Sequence, residues 1–304
     1  MAAVVSPEGI LKELSALWVS LGKQEDSGVL RACAMTLIMA TGEEEDAAEA
    51  GLTLAELIHE HPSRAIVLRV VTSAEPVLES RVLAQCWMPF GKRQQICCEQ
   101  IEITASPATL PGVQRILGAL VAPDLPVMLV CRSPRLFGLP KFQKLLAMAN
   151  KVVADSHGSP EPWGVMQRVA DMRANGRDVA DLAWTRLTPL RQEIGAAFDE
   201  PGAIARLPLI SRAVIAHPPG PMPPEALYLT AWLHHSLGRE LPVSFQPEAG
   251  SDPITRVDLI GEQVLFSFRP PFSRAGCELL REELSISGRD SVYDSVLAGA
   301  LALA

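Results

Sequence analysis

Two arginines, Arg186 and Arg191, flank the predicted start of a helix within the run Asp181-Leu-Ala-Trp-Thr-Arg-Leu-Thr-Pro-Leu-Arg191. A guanidinium presents a fork of N–H donors, and the free backbone N–H groups at a helix start also favour anions. The segment therefore predicts a site for a phosphate, a carboxylate or an acidic protein surface. Trp184, in the same run, is of the residue type that often anchors a protein interface.

The local signals for this helix are strong. Thr188 is expected to cap it through its hydroxyl, and Pro189 suits the first helical position, where no N–H is needed. Leu190 and Ile194 recur at helical spacing, and Pro201-Gly202 is expected to close the element. A second interpretation makes Trp184 a core residue and the arginines a solvated rim.

Two other stretches are weaker candidates for a site. Residues 156–163 hold His157 in a Gly/Pro-rich loop after a short predicted strand, where α/β folds place ligand sites. Arg64 follows a helix-to-strand turn, which is either a binding loop or a tight turn that satisfies backbone ends. A lone histidine in such a loop is more often structural than catalytic.

Familiar catalytic signatures are missing from the sequence. It contains no glycine-rich dinucleotide or phosphate loop and no nucleophile elbow. The histidines also lack metal-binding spacing, and adjacent His234 and His235 point to different faces of their predicted helix. The sequence therefore predicts no catalytic residue, no metal site and no cofactor.

Composition restricts the class of partner and the compartment. The 304 residues are 48% apolar and carry a formal net charge of −8, which disfavours nucleic acid or an anionic membrane as partner. Neither a signal peptide nor an apolar run of about 20 residues occurs, so we expect a cytoplasmic protein. The six cysteines are expected to be reduced thiols, with a vicinal Cys97–Cys98 redox pair as the alternative.

Apolar strands alternate with helices along the chain, which predicts an α/β fold of two layered units. The first, at residues 1–180, should have a mostly parallel mixed sheet. The second, at 181–304, should be smaller, with antiparallel strands. Predicted strands lie at 29–40, 65–71, 77–88, 96–104, 126–131, 152–154, 207–216, 243–246, 254–260 and 264–269, and a hairpin loop at 89–93.

The segment Asp181–Arg191 resembles the most distinctive part of the glucose-6-phosphate dehydrogenase assembly protein family (OpcA). Similar runs occur in the family's order at residues 60–68, 122–129 and 152–156. The likeness spans residues 60–191, whereas the C-terminal third matches only in general organisation.

The resemblance implies a function. Members of that family bind glucose-6-phosphate dehydrogenase, promote its oligomeric assembly and raise its activity. It therefore implies a non-catalytic assembly factor and allosteric activator in the oxidative pentose phosphate pathway. We predict partner contacts at Trp184, Arg186, Arg191 and Arg64, although the resemblance itself assigns them no role. Replacing Arg186 by Ala should then weaken docking without unfolding the protein.

Two alternatives remain open from the sequence. One is a phosphosugar- or anion-binding α/β domain, possibly enzymatic, whose pocket Arg186, Arg191 and the His157 loop would line. The other is a plain oligomerisation scaffold that binds no metabolite.

Overall fold

The computed structural model describes residues 5–24, 29–45, 47–88, 95–274, 276–286 and 288–303. The chain divides into two compact units, Met1–Ala154 and Asp155–Ala304. The sequence placed a domain boundary between residues 180 and 181. Whether the two parts of the chain are separate domains stays a prediction. The hairpin loop predicted at 89–93 lies outside the described residues.

The first unit alternates strands and helices, as its apolar pattern predicted. Its elements are α1 (Pro7–Gln24), β1 (Val29–Arg31), β2 (Met35–Thr41), α2 (Ala47–Leu57), β3 (Ser63–Val70), β4 (Leu78–Trp87), β5 (Gln95–Ala105), α3 (Leu110–Leu120), β6 (Val127–Cys131), α4 (Pro134–Phe137), α5 (Gln143–Leu146) and β7 (Lys151–Ala154).

Strands β1 to β7 belong to one mostly parallel sheet in the order β1-β5-β3-β2-β6-β7, with β4 antiparallel on β5. This confirms the predicted mixed sheet of the first unit. The central strand β2 is buried along its whole length, as expected of a strand covered on both faces. Its Ile38 stands in register between Ile66 of β3 and Leu129 of β6, so a continuous aliphatic row crosses the core.

The single strand predicted at 29–40 is wrong, because the structure divides this stretch into β1 and β2. Strand β1 pairs with β5, whereas β2 pairs with β3 and β6. The apolar run continued across residues 32–34, so hydrophobicity alone could not locate the change of pairing partner.

The expectation that all cysteines are reduced thiols is also wrong. Cys86 of β4 and Cys97 of β5 are directly opposite in the antiparallel pair and form a disulfide. Cys98 is buried with a free thiol. Successive strand residues point to opposite faces, so Cys97 meets the cross-strand Cys86 and not its neighbour Cys98.

The second unit has more short elements than the sequence indicated. They are α6 (Pro162–Ala174), β8 (Asp178–Asp181), α7 (Leu182–Arg186), α8 (Thr188–Ala197), α9 (Pro201–Ile204), a 3-10 turn (Leu207–Leu209), β9 (Arg212–His217), α10 (Pro224–Leu237), β10 (Val243–Pro247), β11 (Arg256–Ile260), β12 (Val264–Phe268), α11 (Gly276–Ser285) and α12 (Ser291–Ala302).

A smaller sheet of order β10-β9-β11-β12 forms in this unit. The predicted antiparallel pairing is confirmed for β9–β11 and β11–β12, while β10 runs parallel to β9. The strand predicted at 207–216 begins later, at Arg212, because residues 207–209 form the 3-10 turn.

Across the part of the chain that the structure describes, no helix combines the length and the apolar character needed to span a bilayer.

Candidate functional site

The segment 181–191 lies in the second unit, where β8 passes directly into two helices. Asp181 ends β8, and its carboxylate accepts a hydrogen bond from the N–H of Ala183, 3.1 Å away, which caps α7. Helix α8 follows after Leu187. The predicted cap at Thr188 is wrong, because Thr188 is already inside α8 and makes no capping bond. The side-chain cap in this segment is Asp181, at the start of α7.

Trp184 is packed inside this unit, with 5% of its surface exposed. Its ring stacks on Tyr293 at a centroid distance of 5.6 Å and is tilted against Tyr228 at 6.1 Å. The Arg191 guanidinium covers the ring at 3.5 Å from its centroid. The aromatic group thus holds α7, α10 and α12 together, and in this conformation it offers little surface to a partner.

Arg191 is committed to that same stack. One of its N–H groups donates to the Thr188 hydroxyl at 3.2 Å. Burial disfavours its charge and lowers the pKa of the guanidinium to about 10. Arg191 therefore supports the helix entry from the Trp184 side, through a cation–π contact.

Arg186 points away from the ring of Trp184, and two acids neutralise its charge. Its guanidinium lies 2.9 Å from the Asp155 carboxylate and 2.8 Å from that of Glu225. The ring of His157 contacts the same Glu225 oxygen at 2.9 Å. We call Asp155, His157, Arg186 and Glu225 the Arg186 cluster.

Burial and charge act against each other in the Arg186 cluster. Glu225 is completely buried in the first turn of α10, and its second carboxylate oxygen has no hydrogen-bond partner among the described residues. Burial works against the charge of Arg186, but the two carboxylates outweigh it and raise its pKa. The hydrogen bond to Glu225 raises the pKa of His157.

A buried hydrogen-bond chain lies behind the segment. The Tyr228 hydroxyl donates to Asp181 at 2.9 Å, and the Tyr293 hydroxyl lies 3.3 Å from that of Tyr228. The other Asp181 oxygen accepts from the backbone N–H of Ser156 at 2.9 Å. Burial, and next the nearby charge of Asp155, raise the pKa of Asp181 to about 6. We call Asp181, Tyr228 and Tyr293 the Asp181 chain.

Arg64 lies in the first unit, within β3. It donates to the Glu99 carboxylate at 2.6 Å and to the carbonyl of Leu120. Glu99 also accepts from the indole of Trp18 at 2.7 Å. With 13% of its side chain exposed, Arg64 is part of an internal ion pair of that unit.

One face of the segment reaches the surface at a shallow groove. Arg186, Pro189 and Leu190 border it, together with residues 252–254 and 270–274, and its volume is about 20 Å³. Phe272, on its rim, is 55% exposed. The groove combines an apolar rim with the edge of a guanidinium, which is suited to a protein surface more than to a small molecule.

The geometry brings together some predicted residues and separates others. Arg186 and His157 share Glu225, as the anion-pocket alternative required, but Arg191 faces Trp184 instead. Two carboxylates pair with the terminal nitrogens of Arg186, so the cluster holds no spare positive charge for a phosphate. Among the described residues, no group of three or more His, Cys, Asp or Glu side chains is arranged to hold a metal ion.

Sequence reasoning missed the acids of the site. Asp155 and Glu225 are isolated acids 31 and 39 residues from Arg186, and such residues are usually solvated. Residues 218–224 were predicted as a turn-rich linker and 225–237 as a helix, so Glu225 was expected only as the first residue of that helix. Tyr228 and Tyr293 gave a weak signal, since they are the two tyrosines of the chain.

Family models match most of the chain in two consecutive blocks. Residues 54–171 match the glucose-6-phosphate dehydrogenase subunit N-terminal domain of OpcA proteins, and residues 177–265 match the corresponding C-terminal domain. This chain belongs to the OpcA family. The segment 181–191 falls in the second block, and the similar runs at 60–68, 122–129 and 152–156 fall in the first.

Curated OpcA relatives agree with this membership. A putative OxPP cycle protein OpcA from Nostoc punctiforme is 31% identical over 210 residues, which is 68% of this chain and 44% of the relative. The Synechococcus elongatus protein of the same name is 26% identical over 200 residues, or 66% of this chain and 44% of the relative. This OpcA chain therefore spans less than half the length of the curated relatives that it matches.

Solved structures offer only a remote likeness. A UDP-forming trehalose-phosphate synthase from Burkholderia xenovorans aligns with a TM-score of 0.24 at 11% identity, covering 71% of this chain and 65% of that one. The enzyme from Burkholderia multivorans gives the same TM-score at 10% identity, covering 72% and 64%. Likeness at this level supports no conclusion about activity.

Proposed function

We propose that this chain is a non-catalytic assembly factor and allosteric activator of glucose-6-phosphate dehydrogenase in the oxidative pentose phosphate pathway. Membership of the OpcA family is the observation that carries the proposal. The carboxylates that hold Arg186 and His157 are in keeping with a structural role for these two residues.

Activation follows from ordinary linkage. A partner that binds the assembled, active enzyme better than its separate subunits shifts the population toward the assembled form. The only requirement is that the free energy of binding to the assembled enzyme is more favourable than that of binding to the separate subunits. The OpcA chain therefore needs a docking surface and no reactive group of its own.

We place this docking surface at the groove beside the segment. Phe272 and the exposed edge of Arg186 would contact the enzyme directly, whereas Trp184 and Arg191 would hold the helix entry in shape behind them. Arg64, predicted as a further contact, would act within the first unit through its ion pair with Glu99. Aromatic and arginine side chains are the residue types that dominate binding energy at interfaces.

The test is a reconstitution with the dehydrogenase of the same host. Adding the purified chain should raise the rate of NADP reduction or lower the half-saturating glucose 6-phosphate concentration. The sedimenting mass of the enzyme should increase at the same time. The absence of both complex and rate change at micromolar excess would remove the proposal.

A matched pair of variants locates the surface. Phe272→Ala should weaken binding roughly ten-fold, because we propose it as a hot-spot residue and truncating one costs more than about 1 kcal/mol. Val264→Ala, at a similarly exposed apolar residue outside the groove, is the control and should bind normally. Equal binding by both variants would move the docking surface elsewhere.

A further inference from the structure

A cavity of about 170 Å³ lies in the first unit, at the carboxyl ends of its parallel strands. We propose that it binds a small hydroxylated amine. The cavity is lined by residues that follow four strands: Gly42 and Glu44 after β2, Thr72 after β3, Pro107 after β5 and Ser133 after β6. Its volume suits a ligand of about monosaccharide size, smaller than the pockets of drug-sized molecules.

The topology of the sheet opens the fold at this point. Strand β2 connects through α2 to β3 on one side, whereas its other neighbour β6 leads to β7 on the opposite side. Connections that leave adjacent strands in opposite directions open a crevice outside their carboxyl ends. The cavity occupies this crevice, the place where open α/β sheets bind ligands.

The Glu44 carboxylate is the principal polar group of the cavity. One of its oxygens accepts from the Ser133 hydroxyl at 3.1 Å. The other lies 3.9 Å from the nearest nitrogen of Arg135, beyond hydrogen-bond distance. This oxygen can accept a charge-assisted hydrogen bond from an ammonium group of a ligand.

Gly42 makes this placement of Glu44 possible. A Cβ added at Gly42 would lie 2.6 Å from the Glu44 carboxylate, a distance that atoms do not tolerate. The Glu44 side chain folds back over the backbone of Gly42. A larger residue at position 42 would push the Glu44 carboxylate away.

The remaining walls fit a carbon skeleton with hydroxyl groups. Glu43 is held by the N–H and hydroxyl of Thr72, at 2.9 and 3.0 Å, so it forms a fixed rim. Leu136 and Leu139 add an apolar side. The guanidinium of Arg135 is 77% exposed and can reach a ligand hydroxyl from the solvent side.

The charges select against phosphate. Dinucleotide-binding folds place a glycine-rich loop after the strand at this switch point and hold the pyrophosphate on its N–H groups. Here the loop after β2 carries Glu43 and Glu44 at the cavity instead, while Glu45, the next residue, is paired with Arg132 at 2.9 Å. Two carboxylates and one guanidinium, that of Arg135, line the cavity, so its net charge is negative and favours an amine over a phosphate.

Three ligands that share the glucose ring distinguish an amine site from a phosphate site. Calorimetric titration of the full chain with D-glucosamine should show saturable binding, about ten-fold tighter than binding of D-glucose, because a hydrogen bond to a charged group is worth about 1.5 kcal/mol or more. Glucose 6-phosphate should bind more weakly than either. Tighter binding of the phosphate ester, or no saturable binding of glucosamine by about 10 mM, overturns the proposal.

Glycine variants test the position of the site. Gly42→Ala should weaken glucosamine binding by roughly ten-fold with the fold intact, because only the flexible end of Glu44 must move. Gly22→Ala in α1, where an added Cβ meets nothing within 4 Å, is the control and should bind normally. If Gly42→Ala keeps full affinity, the amine binds elsewhere and the proposed site is wrong.

Discussion

The Arg186 guanidinium lies 2.8 Å from a carboxylate oxygen of Glu225, a side chain with no exposed surface. Removing one member of such a pair leaves a buried charge without compensation, which typically costs about 3–5 kcal/mol. The ion pair therefore makes Arg186 a determinant of stability, whatever its outer edge contacts.

Arg186→Ala should lower the free energy of unfolding by about 3 kcal/mol or more, measured by urea denaturation. The sequence alone led us to expect weakened docking without unfolding, and the ion pair changes that expectation. Arg212→Ala, at an exposed arginine of the same unit, is the control and should change stability by less than about 0.5 kcal/mol. Unchanged stability of Arg186→Ala would show that Glu225 finds another partner.

Trp184 and Arg191 should be energetically coupled through their 3.5 Å stack. In a double-mutant cycle of Trp184→Leu and Arg191→Met, we expect a coupling of about 1 kcal/mol, the usual size of a partly buried cation–π contact. Methionine keeps much of the arginine stem, so the cycle isolates the charge. Additive effects in urea denaturation would mean that the cation–π contact contributes no measurable stability.

Asp181 should make stability depend on pH. Its pKa is raised from 3.8 to about 6 in the folded protein, so its contribution is fully present below pH 3.8 and is lost as pH rises through 6. Asp181→Asn keeps the acceptor for the Ser156 N–H and removes the charge. The variant should gain stability relative to the parent over this pH range, on the order of 3 kcal/mol. A pH-independent difference in urea denaturation would contradict this.

His157 should make a second contribution to the pH dependence of stability. Its pKa is raised above 6.5 by Glu225, so the stability that it contributes is present below pH 6.5 and is lost as pH rises through the higher folded-state value. His157→Gln should remove this loss, as seen in unfolding curves across that range. His235→Gln, at an exposed histidine of α10, should leave the profile of the parent unchanged.

The Cys86–Cys97 disulfide should be detectable by counting thiols. The denatured protein should react as four free thiols without reductant and as six after reduction. Replacing both cysteines by serine should cost about 3 kcal/mol, as expected for a short closed loop. Cys33→Ser, at an exposed free thiol, should cost much less. Six reactive thiols before reduction would contradict the cross-link.

Prediction from sequence succeeded for elements that repeat their pattern for several residues. The strands β3 and β5 and the helix α10 were found because each shows a full apolar period. The short elements β8 and α7 were missed, because four or five residues are too few to display a period. Arg186 and His157 were identified as candidates, while the acids that hold them were not.

The sequence by itself determined family membership and the alternation of strands and helices, and it predicted a site at the segment 181–191. Only the tertiary structure decided that Trp184 is packed inside and that Asp155 and Glu225 neutralise Arg186. Residue type and local spacing determine which elements can form. The environment of a charge depends on groups tens of residues away, and folding alone brings those groups together.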